Sequence, residues 1–353
     1  MENYKDVKMG IRKLNIALAV TGRGSEGRDE DSYSYCFNDN GGFIGVFDGF
    51  GEMDSTTYSK LGRRTGGYIA GRLAAESTIK MFQNGNFTFS EMDSIKLTSD
   101  LKKYIDKVKK NFADNQDTAL VPTTASIIAC DYSKKDSIMF EYLWAGNSRG
   151  YFLDKNGLCQ ITEDDVVEQI SPIDETKKPR VINLVNAETD FKINIKTVRT
   201  DAPTILVTAT DGAYGSFATP MEFEYALLYT LNRAKNVAQW ESLLRRLVSE
   251  FAKDDFAIMI VAFGFDDFKD LKHYFFERTK KMFNEYIEPI SKAKEENSTS
   301  KVEKLWNIYN ADYYRYGEGD FLCGFVRNVL VKTAILLIVV KVVDMLYLKM
   351  RRL

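Results

Sequence analysis

With 353 residues, 48 Lys and Arg against 50 Asp and Glu, and a net charge of −2, the chain can bury one sizeable core plus an appendage, or two modest domains, and offers no general attraction to nucleic acid. One histidine, His273, and four scattered cysteines, Cys36, Cys130, Cys159 and Cys323, leave no Ser-His-Asp triad, Cys-His pair or His-rich zinc site with a supporting signature. His273 reads as a solvated helix residue, and thiols without a C-x-x-C pattern fit a reduced, cytosolic protein.

The first apolar run, residues 14–20, is too short for an export segment, lacks a small-residue cleavage site, and reads as a strand. Next comes Gly22-Arg23-Gly24-Ser25-Glu26-Gly27, a letter-for-letter G-x-G-x-x-G. A dinucleotide site needs a helix to follow, so that its N-terminus meets the pyrophosphate. Here Arg28 to Tyr35 is acidic and alternates like a strand, and no Lys-Ser or Lys-Thr follows Gly27 to make a P-loop. Further strand-like runs fall at 32–37, 43–47, 124–131, 137–145, 149–153, 181–185, 191–198, 204–209 and 256–263. Helical periodicity is expected over 55–82, at Leu101, Tyr104, Ile105, Val108 and Phe112, and over 221–252. Two helices, a block of strands, a long helix and a last strand predict a layered protein of antiparallel sheets.

Three acidic segments stand at the ends of these strands: Val46 to Glu52 around Asp48-Gly49, Thr210-Asp211-Gly212, and Lys253-Asp254-Asp255-Phe256. An Asp-Gly pair can simply make a turn. Three aspartates held at the ends of buried strands point instead to hard divalent cations, which take oxygen ligands.

These residues carry a resemblance. Glu30-Asp31, Val46 to Gly51, Thr123-Thr124-Ala125, Ala145 to Tyr151, Gln160 to Asp164, Thr210-Asp211-Gly212 and Asp254-Asp255 follow, in order over residues 14–265, the motifs of the metal-dependent protein serine/threonine phosphatases of type 2C. The chain resembles a bacterial-type member. The resemblance implies an α+β fold, a four-layer α-β-β-α sandwich of two antiparallel sheets flanked by helices. It also implies hydrolysis of phosphoserine and phosphothreonine on proteins by a metal-activated water at a binuclear Mn²⁺ or Mg²⁺ centre. By position, Asp48 would bridge both ions, Asp211 and Asp254 would hold the first, and Glu30 and the Gly49 carbonyl the second. Asp31 would orient the water.

Five positions depart from the family pattern. Phe50 stands where eukaryotic members carry a histidine, and Asn147 replaces an aspartate that helps bind a third ion. Asp29 and Asp255 each replace an asparagine. Glu26 stands where the phosphate-binding arginine is usual, so that role falls to Arg28, with Arg23 the weaker candidate. These changes motivate an alternative reading, a weakened phosphatase-fold module that binds phosphoproteins as a scaffold.

Residues 1–265 are thus expected to be the catalytic domain, and 266–320 a charged, helical and aromatic-rich region with a linker at 292–300. Its Trp306, Tyr309, Tyr313, Tyr314 and Tyr316 read as aromatics capping the preceding helix. Residues 321–353 form a C-terminal helical appendage. Within it 329–348 is of membrane-spanning length but holds Lys332, Lys341 and Asp344, and basic residues follow. A membrane anchor is favoured over a buried or oligomerising helix. The expected partners are a phosphoprotein substrate, a cognate serine/threonine kinase and, through this tail, a membrane, with the catalytic domain in the cytoplasm and no nucleic acid.

Overall fold

The apolar runs pair into two five-stranded antiparallel sheets. The computed structural model describes residues 14–51, 57–58, 62–83, 98–103, 122–132, 138–174, 179–186 and 189–316, with 95 and 106. The strands are β1 (Leu14–Gly22), β2 (Ser32–Phe37), β3 (Gly41–Phe47), β4 (Thr57–Tyr58), β5 (Arg64–Thr65), β6 (Ala125–Asp131), β7 (Ile138–Ala145), β8 (Arg149–Asp154), β9 (Gly157–Gln160), β10 (Asn194–Thr200), β11 (Thr204–Ala209) and β12 (Phe256–Phe263). One sheet runs β1-β12-β11-β8-β9, the other β10-β7-β6-β3-β2, and β4 and β5 form a small hairpin.

Alternation along the strands builds the four layers. In β12, Phe256, Ile258, Ile260 and Ala262 face a helical layer, while Ala257, Met259, Val261 and Phe263 face the other sheet. In β3, Phe43 and Phe47 point to the opposite helical layer and Ile44 and Val46 point between the sheets. A strand buried on both faces must read as continuously apolar, as Phe-Ala-Ile-Met-Ile-Val-Ala-Phe does.

Helix α1 (Gly66–Phe82) covers the second sheet, with Phe82 stacked on Phe43 at 4.2 Å between centroids. Helices α2 (Pro220–Arg233) and α3 (Val237–Phe251) cover the first through Leu227, Leu228, Leu231, Trp240, Leu244 and Val248. Side chains set their starts: Thr219 accepts from the Glu222 N–H and Asn236 from the Gln239 N–H.

The layered α+β expectation is met, with local differences. The stretch expected as one helix over 55–82 is a hairpin followed by a helix from Gly66, and the stretch 221–252 is split between α2 and α3. The run 181–185 makes only isolated bridges, Val181 with Val166 and Val185 with Thr123. Asn183 breaks it by adopting φ 55°, and its side chain bonds Asp165 and the Lys192 backbone instead. Of the helix expected around Leu101, positions 104, 105, 108 and 112 lie outside the described residues.

Past β12, α4 (Phe268–Met282) runs through a π turn, Phe283–Ile287, into α5 (Glu288–Glu295), and α6 (Thr299–Tyr313) follows. The expected linker thus reduces to residues 296–298 between two helices. Leu271, Phe275, Met282, Tyr286, Ile290, Trp306, Tyr309 and Tyr313 are buried in the same core cluster as β1, β11 and β12. His273 is exposed on α4, as expected. No helix among the described residues is long and apolar enough to cross a membrane; the segment 321–353 lies outside them.

Candidate metal centre

Asp48 leaves β3 into a turn whose backbone is held from both sides. Its carbonyl accepts from the Thr124 N–H at 2.8 Å and the Thr123 hydroxyl at 2.8 Å, and its N–H donates to the Thr124 hydroxyl oxygen at 3.1 Å. The Thr-Thr-Ala segment therefore serves to fix this aspartate. Asp211 begins a helical turn, Asp211–Tyr214, at the end of β11. A Cβ at Gly212 would lie 1.8 Å from the Asp255 carbonyl oxygen, so this turn and the Asp254-Asp255 segment touch backbone to backbone.

The glycine motif after β1 has the same explanation. Ser25 and Glu26 donate their N–H groups to the Ala252 and Lys253 carbonyls, and a Cβ at Gly24 would lie 2.2 Å from the Asp254 carbonyl oxygen. These glycines let one loop lie flat on the acidic segment. Asp255 then accepts the Arg28 and Glu30 N–H groups, both at 2.8 Å.

Four carboxylates from four segments so come close enough that the charge of Asp211 acts on the other three. Asp48 is pushed well above the usual carboxylate range by burial, then by the charges of Asp211, Asp31 and Asp254. Asp31 is raised by burial and by Asp211, Asp255 and Asp254, against the opposing effect of the Thr210 hydroxyl, which donates to it at 2.6 Å. Asp254 is raised by burial, with Asp211, Asp255 and Glu30 adding to it. Like charges packed this way require either shared protons or cations.

Glu30 is buried and lies against Gly51. Its carboxylate accepts from the Thr65 hydroxyl, which also caps α1 by accepting the Tyr68 N–H. The Gly49 carbonyl accepts the Gly51 N–H at 3.0 Å beside Gly67. The Arg28 side chain is exposed at the rim. Arg64 and Arg72 lie over the Tyr68 ring, 4.3 and 3.5 Å from its centroid, and pair with Asp29 at 3.7 and 3.5 Å.

The oxygen-only donor set suits hard divalent cations, and the mutually raised carboxylates fit such ions. The arrangement is not a closed cage, for among the described residues no three His, Cys, Asp or Glu side chains converge to hold an ion as they stand. Sequence reasoning missed Thr65, Thr210 and the role of Asp255. It also missed that Asn147 points its amide at Asp211, donating at 2.9 Å. The available signals were weak: a threonine before a helix start, and a threonine before the strand-end aspartate.

No protein-family model matches the sequence, and no curated protein matches it. Solved structures do match in fold. Serine/threonine phosphatase Stp1 from Staphylococcus aureus aligns with a TM-score of 0.53 at 14% identity, over 71% of this chain and 95% of that one. The Mycobacterium tuberculosis serine/threonine phosphatase PstP/Ppp gives 0.51 at 16%, over 70% and 97%. PppA of Pseudomonas aeruginosa, described as a regulatory component of a type VI secretion system, gives 0.51 at 16%, over 71% and 98%. The chain has the fold of the bacterial serine/threonine phosphatases.

Proposed function

We propose that this chain is a protein serine/threonine phosphatase that hydrolyses phosphoserine and phosphothreonine with two Mn²⁺ or Mg²⁺ ions. One observation carries the reading: Asp31, Asp48 and Asp254, at the sheet ends of a phosphatase fold, are each raised by burial and by the charge of Asp211 between them. Asp48 would hold both ions, Asp211 and Asp254 the first, and Glu30 with the Gly49 carbonyl the second. When bound, the ions supply Lewis acidity that activates water and offsets phosphoryl charge. Asp31, fixed by Thr210, orients the attacking water and takes up its proton. Arg28 at the exposed rim binds phosphoryl oxygens, a charge-assisted contact suited to its planar fork. Phe50 has no proton to give, so the leaving alkoxide is protonated by water.

The substrate is then a phosphoprotein, and a cognate serine/threonine kinase supplies it. The apolar residues 329–348 support tethering to a membrane with the phosphatase unit in the cytoplasm. The assay is release of phosphate from p-nitrophenyl phosphate and a phosphothreonine peptide by the full chain. Activity is expected with Mn²⁺ or Mg²⁺ and is abolished by excess chelator; undiminished activity in chelator refutes the reading. The second reading, a phosphoprotein-binding scaffold, is favoured by the unclosed ligand set and by Asn147 beside Asp211. Peptide binding without turnover at any Mn²⁺ concentration would select it.

A further inference from the structure

Asp211 is held by a side chain whose own support runs to the far helix α6. Asn147 Nδ2 donates to Asp211 Oδ2 at 2.9 Å, and the Asn147 carbonyl accepts from the Tyr214 hydroxyl at 2.9 Å. The Tyr214 ring carries the Arg149 guanidinium 3.9 Å above its centroid. Arg149 grips Asp164 as a fork, Nε at 2.9 Å and Nη2 at 2.7 Å. Asp164 also accepts from Gln160 Nε2 at 3.3 Å, and the same amide donates to the Thr162 carbonyl at 2.8 Å. Gln160 Oε1 accepts from the Tyr313 hydroxyl of α6 at 2.9 Å. Asn147, Gln160 and Tyr313 are all buried, and Arg149 and Asp164 are only 13% and 10% exposed.

Each link constrains the next. Tyr313 fixes which end of the Gln160 amide faces Asp164. Asp164 sets the plane of the Arg149 fork, and that plane sets Tyr214. Tyr214 in turn holds the residue whose amide reaches Asp211. Water cannot substitute freely for these partners in a buried network, so loss of one is felt along the chain. Asn147 Oδ1 is buried with no hydrogen-bond partner among the described residues, so only the Asp211 contact orients that side chain.

We propose that Tyr313 is a positioning residue for Asp211, acting through Gln160, Asp164, Arg149, Tyr214 and Asn147, so that the contact of α6 with Gln160 tunes the affinity of the centre for divalent cations. This rests on the phosphatase reading in one respect, that Asp211 is a metal ligand. Coupling of this kind typically changes affinity by 5- to 150-fold.

The test is Mn²⁺ titration calorimetry on the full chain and on Tyr313→Phe, Asn147→Ala and the double variant. Tyr313→Phe should weaken binding roughly 5- to 20-fold, and the double variant should be no weaker than Asn147→Ala alone, because both act on one chain of contacts. Tyr309→Phe is the control. It removes a hydrogen bond from the same helix to Glu224, at 2.6 Å, outside the chain to Asp211; it should lower stability and leave Mn²⁺ affinity unchanged. Unchanged affinity in Tyr313→Phe, additive losses in the double variant, or an equal loss in Tyr309→Phe overturns the positioning role. Failure of the wild-type chain to bind Mn²⁺ at all overturns the metal-centre reading and this role with it.

Discussion

Replacing Arg278 by Leu tests whether residues 268–316 belong to the core. Glu224 lies on α2 with its side chain fully buried, and Arg278 reaches it from α4 with 5% of its side chain exposed. The guanidinium donates through Nε at 2.6 Å and Nη2 at 3.0 Å. Leucine leaves a buried carboxylate with two neutral donors, the Leu158 N–H at 3.0 Å and the Tyr309 hydroxyl at 2.6 Å. Removing one partner of a buried ion pair costs about 3–5 kcal/mol. Adding Glu224→Gln removes the unpaired charge while its amide oxygen, in the place of Oε2, still accepts from both the Leu158 N–H and the Tyr309 hydroxyl, so the double variant should regain part of the loss. The measurement is unfolding free energy from urea titration in excess chelator, which holds metal linkage fixed. An Arg278→Leu variant within about 1 kcal/mol of wild type would refute the argument, since a buried carboxylate cannot lose its counter-charge at that cost. By the same reasoning a chain ending at residue 265, without Arg278, Tyr309 and Tyr313, should aggregate, whereas one ending at 316 should fold.

Three further outcomes are expected. In metal-free protein burial and then its carboxylate neighbours raise the Asp48 carboxyl well above the usual range. A carboxyl raised in the folded state favours folding at acid pH and loses that contribution as pH rises through its folded value. Asp48→Asn should therefore raise the thermal midpoint in chelator at pH 8 and leave it nearly unchanged at pH 4; no gain at pH 8 would refute the electrostatic account. Arg28→Ala should raise KM for a phosphothreonine peptide about tenfold with kcat little changed, the pattern of lost uniform binding, and an unchanged KM would remove Arg28 from the phosphate site. The full chain should stay in membrane pellets after carbonate washing while a chain ending at 316 is released; a soluble full chain would refute the anchor.

What the sequence made legible follows from how much each residue decides locally. β12 and β3 could be read because a strand buried on both faces must be apolar throughout, and the aspartates were conspicuous because each interrupts such a run. β4, β5 and β9 span two, two and four residues, too short for periodicity to register. The strand expected at 181–185 failed at Asn183, where side-chain bonds to Asp165 and Lys192 outweigh the β propensity of its neighbours. The amphipathic pattern of 268–287 announced a helix but not the Glu224 beneath it, 54 residues away from Arg278. The contacts of Thr65, Thr210 and Asn147 with the carboxylates are all long-range, spanning 35, 179 and 64 residues, and no local rule reports such pairings.

Phosphate release from a phosphothreonine peptide by wild type, Asp48→Asn and Asp211→Asn, each with saturating Mn²⁺ and each shown folded by circular dichroism, tests the central claim most directly. Loss of metal-borne stabilisation of transition-state charge should lower turnover at least about 10²-fold in both variants. Turnover near wild type in either folded variant would return that aspartate to the role of a turn former and contradict the metal centre.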